Sequence, residues 1–301
     1  LNGRVYALPL DPSVQIFLYR TDLFHDAKLC RAYYERFHEN LVVPTTYEQY
    51  LHAAEFFTRS CNPDSPTEYG TTMTCGSASV AASDFLPFYL SRIDRFGTTP
   101  ETLRLDCPEM QAAMRQYHAL EKFSCKQNWW GDSIQKFADG KTAMTVIYSN
   151  YAAELINSGN SVVVGRVGAA ILPGCKPLLG GGIVGISRYS QKAEACKQFF
   201  RWYYSADVAS LLVRLGGTSP IVDAYEDFQN YSIFPWMNTS KKSFGLGQRG
   251  VKNQIPERFS IPKYEFAVGT AIRNVVQDLM TPEDASRMAQ ALYDAADPVS
   301  R

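Results

Sequence analysis

The sequence predicts an α/β protein built as two lobes, and three observations carry that expectation. Segments of strand character alternate along the chain with segments of helical periodicity, which is the pattern of α/β architecture. The length, 301 residues, exceeds what a single hydrophobic core usually serves. Hydrophobic residues make up 46% and charged residues 20%, a balance that suits a folded chain and argues against disorder.

Taken in order, residues 5–8 and 16–19 read as short strands around a turn at 9–13. Thr45, with Glu48 three residues on and Pro44 just outside, forms a capping-box pattern. Tyr47, Tyr50, Leu51, Ala54 and Phe57 then recur at helical spacing. Residues 61–70 are rich in Asn, Pro, Asp and Ser and read as a loop. A second helix is expected over 108–123, with Met110, Met114, Tyr117 and Leu120 on one face. A third is expected over 133–138, stopped by Gly140. Strands follow at 143–148 and 167–172, then a glycine loop at 180–182 and a strand at 183–187. Ser190 is expected to cap a helix reaching about residue 204. Gly216-Gly217 and Pro220 break the chain, and 245–250 reads as a mobile loop. The end is helical over 266–280 and again from Thr281, where Asp284 completes a cap and Pro282 holds the favoured first position.

Composition excludes several function classes. Lys+Arg and Asp+Glu each number 30, so the chain lacks the basic surplus that nucleic-acid binding needs to neutralise phosphates. No apolar run approaches membrane-spanning length, and no signal peptide is visible. The seven cysteines show no C-x-x-C spacing, and the four histidines show no i,i+4 pair, so no metal site and no cofactor are expected. Residues 180–185 match G-x-G-x-x-G. A dinucleotide fold, however, needs that motif to open a helix, and here strand-like residues follow it. The glycines keep a simpler use, close approach of backbone amides to a ligand. No spacing singles out a catalytic acid/base couple. With 18 Tyr and 4 Trp, the chain has rings to spare for a cleft that covers apolar faces of a solute. Trp129-Trp130 cannot both face one core, which makes one of them a cleft-lining candidate.

Several segments, in order, carry a family resemblance. They are Gly3-x-Val5-Tyr6-Ala7-Leu8-Pro9 with Tyr19-Arg20-x-Asp22-Leu23-Phe24, Val43-Pro44-Thr45-Thr46-Tyr47-Glu48, Phe137-x-x-Gly140-Lys141-x-Ala143-Met144, Gly181-Gly182 with Ile186-Ser187, the stretch 195–204 with Gly217-x-x-Pro220, and Pro282-Glu283-Asp284-Ala285. Together they resemble the carbohydrate-type extracellular solute-binding proteins of ABC importers, the group that includes maltose-binding protein. The resemblance implies a two-lobed periplasmic-binding-protein-like fold with crossing hinge strands, closing on a solute by a hinge motion. It implies binding without catalysis, a sugar-like ligand, the membrane subunits of an ABC transporter as partners, a monomer, and an extracytoplasmic location, periplasmic or lipid-anchored. On this pattern residues 1–9 and 181–216 belong to a first lobe whose beginning is missing, and 10–180 with 217–301 form the second.

The candidate ligand-binding residues carried over are Asp11, Ser13 and Gln15 after the first crossing, Tyr148, Asn150 and Tyr151 after the Ala143-Met144 strand, and Gly181 and Gly182 in the glycine loop. Trp129, Trp130, Trp236 and Arg249 are added as further candidates. Many relatives place a Trp after that strand; this chain offers Tyr148 or Tyr151 instead. Two other readings stand beside this one. The odd cysteine count leaves a free thiol, which secreted proteins usually avoid, and favours the ligand-sensing domain of an intracellular regulator. An enzyme using the glycine loop for a nucleotide is the third.

Overall fold

The computed structural model describes residues 5–93, 103–156, 159, 161–227, 234–247 and 260–295. After the two-residue strand β1 (Leu8–Pro9), the scaffold is organised by β2 (Ser13–Arg20), whose residues are buried except Tyr19. A strand buried on both faces needs partners on both edges, because an unpaired buried amide costs as much as a lost hydrogen bond. On one edge β2 pairs antiparallel with β5 (Met144–Tyr148), from Gln15 opposite Tyr148 to Tyr19 opposite Met144. On the other it pairs antiparallel with β6 (Val167–Ala170) and, at its start, with β7 (Leu179–Gly180). The sheet grows further through β3 (Thr71–Thr74) and β4 (Ser124–Gln127), a parallel pair. These join the β5 edge by a bridge between Tyr69 and Thr142 and by the Met144 amide, which donates to the Gly70 carbonyl at 3.0 Å.

Period-two alternation divides β2 between two cores. Phe17 enters a large cluster with α3 (Tyr47–Phe56), α4 (Ala78–Leu90), α5 (Pro108–Glu121), α10 (Ile261–Val276) and α11 (Pro282–Asp294). Val14, Ile16 and Leu18 enter a smaller one with α6 (Trp130–Ala138), α8 (Ala206–Arg214), Tyr225 and Trp236. The short α1 (Thr21–Phe24) and α2 (Ala27–Phe37) follow β2, and α9 (Met237–Leu246) lies against the second core. Past the middle of the chain, β8 (Ile183–Val184) returns to pair with β1, and α7 (Ala193–Tyr203) follows with none of its residues buried.

The structure moves several expected boundaries. Helix α3 is capped by Thr46 with Gln49 in the capping box, one residue beyond the expected Thr45–Glu48 pair; the Thr45 hydroxyl donates to the same Gln49 oxygen. Helix α6 starts at Trp130 rather than Ser133. Helix α7 starts at Ala193, and Ser190 accepts from the Lys192 amide in the turn before it. Of the expected 183–187 strand only two residues pair, since β1 offers only two partners. Gly245 lies inside α9 instead of opening a loop, and 248–250 fall outside the described residues. The terminal helix is as expected, with Thr281 accepting from the Asp284 amide. Helices α1, α2, α4, α8 and α9 had no counterpart in the expectation, and α4 is the element that most shapes the site. All seven cysteines are free thiols.

Candidate functional site

The register of β2 brings the start of that strand, the end of β5 and β7 to one point. Gln15 lies opposite Tyr148, and Ser13 opposite Gly180. Beside them begin α4 and α6. Between these ends is a cavity of about 300 Å³. Asp11 and Ser13 line it from the first crossing, and Gly180 and Gly181 from the second. Trp129 and Trp130 line it from the start of α6, and Tyr148, Asn150 and Tyr151 from the end of β5. Ser79, Val80 and Ser83 line it from α4, and Glu265 from α10.

The aromatic wall is layered. Trp130 is buried at 6% exposure and meets Tyr148 edge to face, ring centroids 5.1 Å apart. Trp129, 48% exposed, stands edge to face on Trp130 at 4.9 Å. Such contacts hold rings in place beyond what burial alone provides. Gly180 makes room for this wall: a Cβ there would lie 2.6 Å from Tyr148 Cε1 and 2.7 Å from Ser13 Oγ.

The two crossings clamp each other just outside the cavity. Leu10 N–H donates to the Gly182 carbonyl at 2.9 Å, and Gly182 N–H donates to the Asp11 carboxylate. Gly181 has φ +98°, and a Cβ there would sit 2.3 Å from the Asp11 carbonyl oxygen. The glycine loop thus owes its composition first to the close passage of the other crossing strand. No helix opens at this motif; the next begins at Ala193, so the arrangement a dinucleotide pyrophosphate needs is not built here.

Eight expected site residues meet at the cavity: Asp11, Ser13, Trp129, Trp130, Tyr148, Asn150, Tyr151 and Gly181. Gly182 lies beside it through its bond to Asp11. Gln15 is corrected: it is fully buried, its amide donating to the Ser83 carbonyl at 2.8 Å and accepting from Leu178 N–H at 3.0 Å. It therefore ties β2 to α4 instead of facing a ligand. Trp236 is corrected too, since it packs in the second core against Phe234. Arg249 lies outside the described residues. Sequence reasoning missed Ser79, Val80, Ser83 and Glu265, because α4 and the crossing of α10 over it went unforeseen. Ser77, which caps α4 by accepting from Val80 N–H, was the available signal.

Two electrostatic features define what the cavity can hold. Among the described residues its lining carries carboxylates, Asp11 and Glu265, and no Lys or Arg. Of the buried side-chain polar atoms left without a hydrogen-bond partner among the described residues, two belong to this lining: Trp130 Nε1 and Asn150 Oδ1. Among the described residues no group of three or more His, Cys, Asp or Glu could hold a metal ion.

The fold, in which two crossing strands meet beside a cavity walled by rings and small hydroxyls, is that of a solute-binding protein. The family comparison agrees: residues 1–236 match the model of bacterial extracellular solute-binding proteins, and the chain belongs to that family, whose members bind solutes and are not enzymes. Solved structures similar to it include an ABC transporter solute-binding protein of Agrobacterium radiobacter K84 in complex with ribitol. That match has 22% identity and a TM-score of 0.77, and covers 97% of this chain and 71% of that one. Another comes from Agrobacterium vitis S4 with bound D-mannitol, at 20% identity and TM-score 0.74, covering 98% and 73%. Maltose-bound MalE3 of T. maritima matches at 20% identity and TM-score 0.75, covering 97% and 73%. The two-lobed periplasmic-binding-protein-like fold expected from the sequence is the fold these proteins share. The intracellular-regulator alternative finds no support. Among the described residues no helix is long and apolar enough to cross a membrane.

Proposed function

We propose that this protein binds a neutral polyhydroxylated solute, a mono- or oligosaccharide or a sugar alcohol, in the cleft beside Trp130 and Tyr148. It then delivers that solute to the membrane subunits of an ABC importer, acting as a monomer outside the cytoplasm, free or lipid-anchored. The observation that carries this reading is the lining itself: aromatic faces and small hydroxyls converge, and no described cation is present to receive an anionic ligand. Rings cover the apolar C–H faces of such solutes, and hydroxyls meet their polar edges. The ligands of the similar structures, ribitol, D-mannitol and maltose, are of this class.

The proposal includes a lobe division of residues 1–9 with 181–205 against 10–180 with 206–301, a boundary shifted from the 216 expected from the sequence. Its support is the contrast between the two buried cores around β2 and the bare helix α7, which presents Phe199 and Trp202 to solvent. Ala209 and Val213 of α8 sit in the second core, so the boundary is better drawn near residue 205 than at 216.

The test is a thermal-shift and calorimetric series with ribitol, D-mannitol and maltose, set against glucuronate, glucose 6-phosphate and free amino acids. A ligand that binds the folded state raises the melting temperature by mass action. A shift with the neutral polyols and none with the anions is expected. A shift with the anions or amino acids alone would overturn the reading.

A further inference from the structure

Resting on the polyol reading, we infer that Trp130 Nε1 and Asn150 Oδ1 form a donor–acceptor pair that reads hydroxyl groups of the solute, and that Trp129 is the movable cover over it. Both atoms are buried, and both lack a partner. A buried unsatisfied polar atom costs about 1–3 kcal/mol, so native folds rarely keep two at one place without use. One is a donor and the other an acceptor, and a hydroxyl is the common group that accepts and donates at once. An amine head would satisfy the acceptor alone, and a carboxylate or phosphate the donor alone. Anions further meet a lining with Asp11 and Glu265 and no described cation.

The neighbours explain why neither atom is satisfied from within. The Trp130 ring is fixed by its edge-to-face contact with Tyr148, which sets the direction of its N–H. Asn150 follows β5 by two residues, on the short helical turn Ser149–Ile156, and its neighbour Ser149 is already engaged as the acceptor for Val14 N–H. The ring packed on Trp130 from outside is Trp129, half in solvent. One rotamer step of Trp129 exchanges this cover for ligand. The adjacent Gly131 has no side chain to block it; the nearest atoms to a Cβ there are Trp129 Cδ1 at 3.6 Å and Tyr151 Cε1 at 4.0 Å.

The experiment replaces Trp130 with 3-benzothienylalanine, which keeps the ring shape and loses the N–H, and makes Asn150→Leu. Binding of ribitol, D-mannitol and maltose is measured by calorimetry, and the ligand-free melting temperature by differential scanning calorimetry. Loss of one neutral hydrogen bond weakens binding by roughly three- to tenfold. That loss is expected for the benzothienyl variant and for Asn150→Leu. The ligand-free benzothienyl variant is expected to melt no lower than the natural protein, because no internal bond is removed. Unchanged affinity in the benzothienyl variant and in Asn150→Leu would overturn the inference and leave the polyol reading standing. A lower melting temperature of the ligand-free benzothienyl variant would overturn it as well, by showing that the N–H is used within the fold. If the natural protein binds none of the three probes, the polyol reading falls and the inference with it.

Discussion

At the scale of single residues, burial decides which aromatic side chains serve a ligand. Tyr148 faces the cavity yet belongs to the large core, whereas Tyr151 is half-buried and borders both. Truncating a buried aromatic side chain costs about 3–5 kcal/mol, so a Tyr148→Ala variant confounds binding with stability. Tyr151→Ala is the cleaner probe. It is expected to weaken polyol binding by about three- to tenfold with little change in melting temperature; equal affinity by calorimetry would remove Tyr151 from the site. Asp84, one residue beyond the cleft-lining Ser83, is a second informative position. Burial pushes its carboxyl up from 3.8 to about 6, against the opposing bonds from the Tyr117 hydroxyl at 2.7 Å and Thr74 N–H at 3.2 Å. An acid whose folded pKa is raised holds its proton more tightly when folded. Its contribution is therefore complete below about pH 4 and is lost as pH rises through about 6. The difference amounts to about 3 kcal/mol. Asn at this position keeps an oxygen for both donors and does not ionise. Urea unfolding at pH 4 and 7.5 should therefore show a loss of stability on going to neutral pH that Asp84→Asn removes, and parallel pH dependence in the two proteins would refute the assignment.

At the scale of elements, the crossing of α4 and α10 governs the cleft. Gly269 of α10 passes so close to the start of α4 that a Cβ would lie 1.7 Å from the Ala78 carbonyl oxygen. That start carries Ser79, Val80 and Ser83 into the cavity, and Gln15 pins it to β2 through the Ser83 carbonyl. Gly269→Ala forces the two helices apart, and overpacking of this kind costs about 1–3 kcal/mol. The expected outcome is a lower melting temperature together with weaker solute binding, read by calorimetry; a stability loss with unchanged affinity would show that α4 does not set the cleft. The same crossing explains why α4 escaped detection in the sequence. Every residue from Val80 to Leu90 is buried, so the helix has no polar face and no 3.6-residue alternation to betray it. Helices α5 and α11 each have one apolar face, and the extent of α5 and the start of α11 were legible to within two residues.

At the scale of the whole molecule, α7 is held by its tail. The Tyr203 hydroxyl donates to the Leu10 carbonyl, and the Tyr204 hydroxyl to the Pro9 carbonyl, so the helix hangs on the first crossing strand while its aromatic face stays in solvent. The crossing strands are clamped to each other by Leu10, Asp11 and Gly182, which makes this corner the natural pivot of a hinge. Replacing Tyr203 and Tyr204 with Phe removes both anchors without touching either core. Amide hydrogen exchange across α7 is expected to rise by about tenfold, with exchange in β2 and α4 unchanged. Uniform acceleration across the molecule would instead mean that α7 belongs to the same cooperative unit as the cores.

The sequence by itself determined what depends on near neighbours in the chain: the α/β alternation, the caps at Thr281 and Gly140, the faces of α3 and α5, and the ordered run of short motifs that marks the family. It also named most residues of the cavity: Asp11, Ser13, Tyr148, Asn150 and Tyr151 through the family resemblance, and Trp129 and Trp130 because two adjacent tryptophans cannot share one core. Only the tertiary structure decided the rest. Whether Gln15 and Trp236 face a ligand or a core, and that α4 supplies a wall of the cleft, depends on packing between segments far apart in the chain. Local periodicity holds no record of such contacts, since a side chain buried by a distant partner has the same sequence neighbours as one left in solvent.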